Sequence, residues 1–115
     1  MDIMQEVGGF LTPYAYENIT IDATAGGKGF TVSNIWSTAS AAQRDFGKTR
    51  LIIATLEAAQ IRYTTVIGVP PTAGANGHLI DIGTMLSFAN LKSMQDFRAI
   101  RETGVSGVLH VTYYR

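Results

Sequence analysis

Gln60-Ile61-Arg62-Tyr63-Thr64-Thr65-Val66 is the stretch on which the fold turns. Ile61 and Tyr63 fall on one side and Arg62 and Thr64 on the other, the two-residue period of a strand with one buried face. The closing segment, Gly107 to Arg115, repeats the pattern with Leu109, Val111 and Tyr113 opposed to His110, Thr112 and Tyr114. The glycine-containing turn from Gly104 to Gly107 is expected to pair it with the run before it as a hairpin. That run, Ser93 to Arg101, reads two ways. As a helix it has Ser93 and Asp96 as a capping box, with Met94, Phe97 and Ile100 at three-residue spacing. As a strand it puts Phe97 and Ala99 on one face, and the strand is preferred.

Further out, Asn18-Ile19-Thr20-Ile21-Asp22 and Gly29-Phe30-Thr31-Val32-Ser33 alternate around a glycine turn and are expected to form a hairpin. Thr38 to Phe46 reads as a loop with one helical turn. Leu51, Ile52, Ile53 and Leu56 form a short apolar block whose type periodicity alone leaves open. Val69-Pro70-Pro71-Thr72-Ala73-Gly74-Ala75-Asn76-Gly77 reads as a long exposed loop, because two prolines remove ladder donors. His78 to Ile82 and Thr84 to Phe88 are two more strand candidates. The sum is an all-β chain: a small β-sandwich or jelly-roll-like barrel of about seven or eight strands. Residues 1–17, with Phe10, Leu11, Tyr14 and Tyr16 among paired glycines, read as an N-terminal arm, and 18–115 as a single domain.

Composition sets the outer bounds. The 115 residues suit one domain, and 46% hydrophobic against 16% charged residues is enough for a core. Nine basic and nine acidic side chains cancel without clustering, which argues against a nucleic-acid partner and favours association between copies. The absence of cysteine removes disulfides and thiolate metal sites. Met1 to Leu11 lacks the pattern of a signal peptide, and no run reaches the roughly 20 apolar residues of a membrane span. The expectation is a soluble protein made in the cytoplasm.

No catalytic constellation stands out. His78 and His110 are the only histidines, too few for a zinc site without cysteine. They read instead as the opening of a strand and the outward face of the last one. Ser87 and Ser106 lack the surroundings of an activated nucleophile, and no pair of carboxylates is singled out by spacing. Gly26-Gly27-Lys28-Gly29 lacks the Lys-Ser/Thr ending of a phosphate loop and reads as a turn. No enzyme activity, metal or cofactor is expected. Candidates for an interface are Phe10, Tyr14, Tyr16, Trp36, Arg62, Arg98 and Tyr114. For Arg62 and Arg98, a cross-strand pair with Glu57, Asp96 or Glu102 competes with a bidentate contact across a subunit boundary.

The order Ala59-Gln60-Ile61-Arg62-Tyr63-Thr64-Thr65, Pro71-Thr72, Gly77-His78-Leu79, Phe97-Arg98-Ala99-Ile100-Arg101 and Leu109-His110-Val111-Thr112-Tyr113 resembles small virion proteins of tailed bacteriophages. That resemblance implies a compact β-sandwich without enzymatic activity. It further implies a head decoration (cement) protein in the virion, a homo-oligomer with a trimer favoured, whose partner is the major capsid protein or another virion protein. Neither nucleic acid nor membrane is expected as a partner. The Tyr-Thr-Thr and Pro-Thr elements are also similar to immunoglobulin-like accessory domains of sugar-cleaving enzymes. The alternative they imply is a carbohydrate- or receptor-binding module in a tail or fibre.

Overall fold

The computed structural model describes residues 11–35 and 49–115. They form two antiparallel sheets packed face to face, as expected for a small all-β sandwich. The larger sheet orders four strands as β1 (Pro13–Ile21), β7 (Gly107–Tyr114), β2 (Leu51–Glu57) and β5 (Met85–Phe88). The smaller orders β4 (His78–Ile80), β3 (Ile61–Thr64) and β6 (Arg98–Arg101). Two short helices, α1 (Val32–Ile35) and α2 (Leu91–Asp96), lie between strands of the chain. Neither is long and apolar enough to cross a membrane.

The strong alternation at the C-terminus is the centre of the larger sheet. In β7, Gly107, Leu109, Val111 and Tyr113 are buried while their neighbours are half-exposed, because the strand pairs with β1 on one side and β2 on the other. Beneath it, Ile21, Ile52, Leu56, Ile61, Met94 and Phe97 are fully buried. Phe30 stacks on Phe97 at 4.3 Å, and Phe88 meets Phe97 edge-on at 5.2 Å. Offset and edge-on contacts of this kind suit the aromatic quadrupole.

Several expectations are corrected. Strand β1 begins at Pro13, so residues 13–17 belong to the sheet and not to an arm. The reason is pairing: Ala15 lies opposite Tyr113 and Glu17 opposite Val111, and Thr12 and Arg115 exchange backbone hydrogen bonds just beyond. Phe10 and the rest of 1–10 lie outside the described residues, as do Trp36 and the expected loop from Thr38 to Phe46.

Gly29 to Ser33 is not a strand. Lys28 makes an isolated bridge to Ala99, Phe30 drops into the core, and the chain then turns into α1. Thr31 and Asn34 are drawn there by hydrogen bonds to the Glu17 carboxylate. The run from Ser93 to Arg101 is helix first and strand second. Asn90, and not Ser93, is the N-cap, accepting from the Ser93 amide, and Phe97 leaves the helix for the core before β6 starts.

The expected hairpin between the last two strands is absent, since β6 and β7 lie in different sheets. Their connection crosses the sandwich, and it lands on a close approach. A Cβ on Gly107 would stand 2.8 Å from the Ala59 carbonyl oxygen and 2.7 Å from the Ile61 side chain. Another of the four crossings between the sheets, from β2 to β3, places Ala58 at φ 76°, a left-handed conformation that costs a Cβ-bearing residue roughly 1 kcal/mol. The 69–77 loop is exposed as expected except at Pro71, which is buried, and Gly77, which is half-buried.

Candidate interaction surface

The outer face of the four-stranded sheet is set by the registers of its strands. One row across it runs Asn18, His110, Thr55 and Met85, and the next runs Tyr16, Thr112, Ile53 and Ser87. Thr20, Val108 and Glu57 make a third row on one side, and Tyr114 with Leu51 a fourth on the other. Tyr16 is 60% exposed and Met85 65%. Among these residues only Glu57 and His110 carry acid or base chemistry other than tyrosine.

Those two groups satisfy one another. The His110 Nε2 lies 2.6 Å from a Glu57 carboxylate oxygen, and its Nδ1 lies 2.9 Å from the Tyr16 hydroxyl. The Tyr16 hydroxyl in turn sits 2.8 Å from Asn18 Oδ1, and the Tyr16 and His110 rings stack at 6.5 Å. A carboxylate only accepts, so the proton on Nε2 faces Glu57. A neutral ring then accepts from Tyr16 at Nδ1. A protonated ring donates there instead, while Tyr16 donates to Asn18. The neutral ring takes the single Tyr16 proton and leaves Asn18 Oδ1 without that donor, whereas the protonated ring leaves every member of the chain bonded.

Behind the same sheet, Glu17 points inward between the layers. Its carboxylate accepts from Thr31 Oγ1 at 2.7 Å, from Asn34 Nδ2 at 2.9 Å and from the Tyr113 hydroxyl. Burial raises its carboxyl, but hydrogen bonds from Tyr113, Thr31 and Asn34 outweigh that and hold it below its ordinary value. Burial and the neighbouring Glu17 charge push the Tyr113 phenol well up, so it stays a donor. The Tyr14 hydroxyl adjoins the Asn34 carbonyl and the Thr49 hydroxyl, and the Arg115 guanidinium lies 4.5 Å above its ring. Tyr14 is therefore a structural member of this inner cluster.

The two arginines sit on the other sheet and do different work. Arg62 grips Glu102 with two hydrogen bonds, 2.6 and 3.2 Å, and also donates to the Gly77 carbonyl. Glu102 accepts from the Gly74 amide at 3.0 Å as well. Hydrogen bonds from Arg62 and Gly74 hold its carboxyl below the ordinary value. The pair thus ties the 72–77 loop to β3, an intrachain role that was one of the two readings of Arg62. Arg98 is exposed and donates to the carbonyls of Gln95 and Phe97 at the end of α2. It also lines a shallow pocket of about 240 Å³ with Gly26, Asp96 and the Val66 to Pro70 turn.

Of the expected interface residues, then, Tyr16 and Tyr114 share one face. Tyr14 lies under its edge, and Arg62 and Arg98 are on the opposite sheet. The link between Glu57 and His110 was not foreseen: their pairing depends on the register between β2 and β7, which local alternation does not encode. No protein-family model, curated protein or solved structure matches this chain.

Proposed function

We propose that this chain is a phage virion structural protein that decorates the assembled head and docks through the outer face of its four-stranded sheet. The observation that carries the proposal is the Glu57, His110 and Tyr16 chain running across three strands of an otherwise uncharged face. Interface cores are depleted of charged residues and enriched in Tyr and Met, and Tyr16 and Met85 are the most prominent groups here. Covering the face leaves the Glu57 carboxylate with a hydrogen-bond partner in His110. The resemblance of the 59–113 segment to small virion proteins supports the same reading. On it, the partner is the major capsid protein, and each bound copy adds buried area across a seam between subunits. The role is one of binding, without catalysis or cofactor, and the site of action is the virion.

A proteomic inventory of purified virions tests the role: the chain is expected at a fixed ratio to the major capsid protein, and its absence overturns the proposal. Tyr16→Ala combined with Met85→Lys tests the face. Head binding is expected to drop at least about tenfold, since aromatic anchors dominate interfaces, with only a small fall in melting temperature from the lost contacts of Tyr16 with Asn18 and His110.

A further inference from the structure

Among the described residues, strand β1 is an edge of its sheet, with backbone groups aimed outward along it. Thr12 and Arg115 exchange both hydrogen bonds, and Tyr114 instead accepts from the Arg50 amide on the β2 side. Antiparallel bonding alternates. With Ala15, Glu17, Ile19 and Ile21 opposite Tyr113, Val111, Leu109 and Gly107, those four residues direct their backbone groups to β7. Tyr16, Asn18 and Thr20 therefore aim theirs away from the sheet, and no backbone group of any described residue bonds them.

The other edges are short or covered. Strand β5 has four residues and β4 three. Strand β6 is closed along its side by the 22–28 segment, where Lys28 and Ala99 exchange hydrogen bonds and Arg101 donates to the Asp22 carbonyl. Edge strands are ordinarily protected by lysine, a bulge or an inward-pointing charge. In β1 the lysine is missing and the irregularity lies at its start, between Pro13 and Ala15. The inward charge, Glu17, is already held by three donors of its own chain, so another strand alongside would not bury it unpaired.

We infer that β1 pairs antiparallel with β1 of a second copy, about a two-fold axis at Asn18, joining two four-stranded sheets into one. This register follows from the free groups. It sets Asn18 opposite Asn18 and Tyr16 opposite Thr20, so every outward-aimed amide and carbonyl of the three residues finds a partner. Tyr16 against Thr20 is an aromatic and β-branched cross-strand pair, a favourable combination. On the inner side Glu17 faces Ile19 of the other copy, whereas a register centred one residue earlier would set two carboxylates against each other. A two-fold contact is self-complementary in this way by construction, and the chain's net charge of zero adds no repulsion.

The test is hydrogen exchange and sedimentation velocity on the purified chain over a concentration series. A dimer is expected to grow in with concentration. The amides of Tyr16, Asn18 and Thr20 should gain protection with it, while those of Ala15, Glu17, Ile19 and Ile21 stay protected throughout. Asn18→Pro removes the two central hydrogen bonds and none to β7, and it is expected to raise the dimer dissociation constant about tenfold or more. A monomer at every concentration overturns the pairing. So does a dimer or trimer in which the three amides exchange as they do in the monomer. Because the measurement needs neither virion nor capsid, its failure leaves the proposed role to its own test.

Discussion

Each sheet of the sandwich holds a neighbouring segment in place with a single carboxylate, and the two do so in different surroundings. Glu17, on the four-stranded sheet, is turned inward and anchors the 31–34 segment through neutral donors. Glu102, at the end of the three-stranded sheet, anchors the 72–77 loop together with a guanidinium. The first arrangement keeps its charge between the layers, behind the outer face of its sheet, whereas the second places its charges outside the core, where they fix a loop. Position relative to the core, more than residue type, decides what each acid does.

Removing each acid's function should separate the two cases. Glu17→Ala strands the Tyr113 hydroxyl, the Asn34 amide and the Thr31 hydroxyl, and is expected to cost about 2–3 kcal/mol in chemical denaturation. A loss under about 1 kcal/mol would mean that water replaces the carboxylate without penalty. Acid should expose the same difference. Both carboxyls lie below their ordinary value of 4.5 when folded, so the unfolded chain binds more protons as the pH drops. Their contribution to stability is complete above pH 4.5 and is lost as the pH falls through the folded values. Asp22, drawn down to about 2 by the Thr24 hydroxyl and amide and by Lys28, extends the decline further. Melting curves between pH 7 and 2 should flatten in Glu17→Gln and in Glu102→Gln; an unchanged slope in both would remove these groups from the account.

A smaller effect is expected from Arg62→Ala. Its side chain and that of Glu102 are 18% and 15% exposed, so water recovers part of the loss, and about 1–2 kcal/mol is expected. The more telling readout is local: exchange at the Gly74 amide should accelerate while the amides of β7 are unaffected. The smallest change is a gain. Ala58→Gly relieves the left-handed conformation at the first sheet crossing, worth at most about 1 kcal/mol in denaturant unfolding.

What was legible in the sequence follows the range of the forces involved. Strands β3 and β7 could be read because alternation is local: Ile61 and the Leu109, Val111, Tyr113 series carry it in consecutive residues. Sheet membership could not, since a glycine turn such as 104–107 serves a hairpin and a crossing alike, and only the contact of Gly107 with Ala59 and Ile61 separates them. The 29–33 segment misled for a related reason. Its strand-like alternation is overridden by Glu17, fourteen residues from Thr31 in the chain, which draws Thr31 and Asn34 into a turn. Among the candidate site residues, Tyr114 has the outward position that the alternation of the last strand gives it, whereas Tyr16, read as part of an arm, lies in β1. Arg62 and Glu102 form one of the cross-strand pairs that the sequence allows, whereas His110 meets Glu57 across a register that no short motif specifies.

The exchange of hydrogen bonds between Thr12 and Arg115 also has a mechanical meaning. It fixes the outer ends of β1 and β7 side by side, with the ladder bonds lying across the line of the strands. A load pulling Thr12 away from Arg115 would open the ladder as a zipper, one bonded pair at a time, and never shear all pairs together. Resistance to stretching along that direction is low whatever the thermal stability. A copy tethered through both ends would yield there first, while one held by its sheet face would carry load through the whole sandwich.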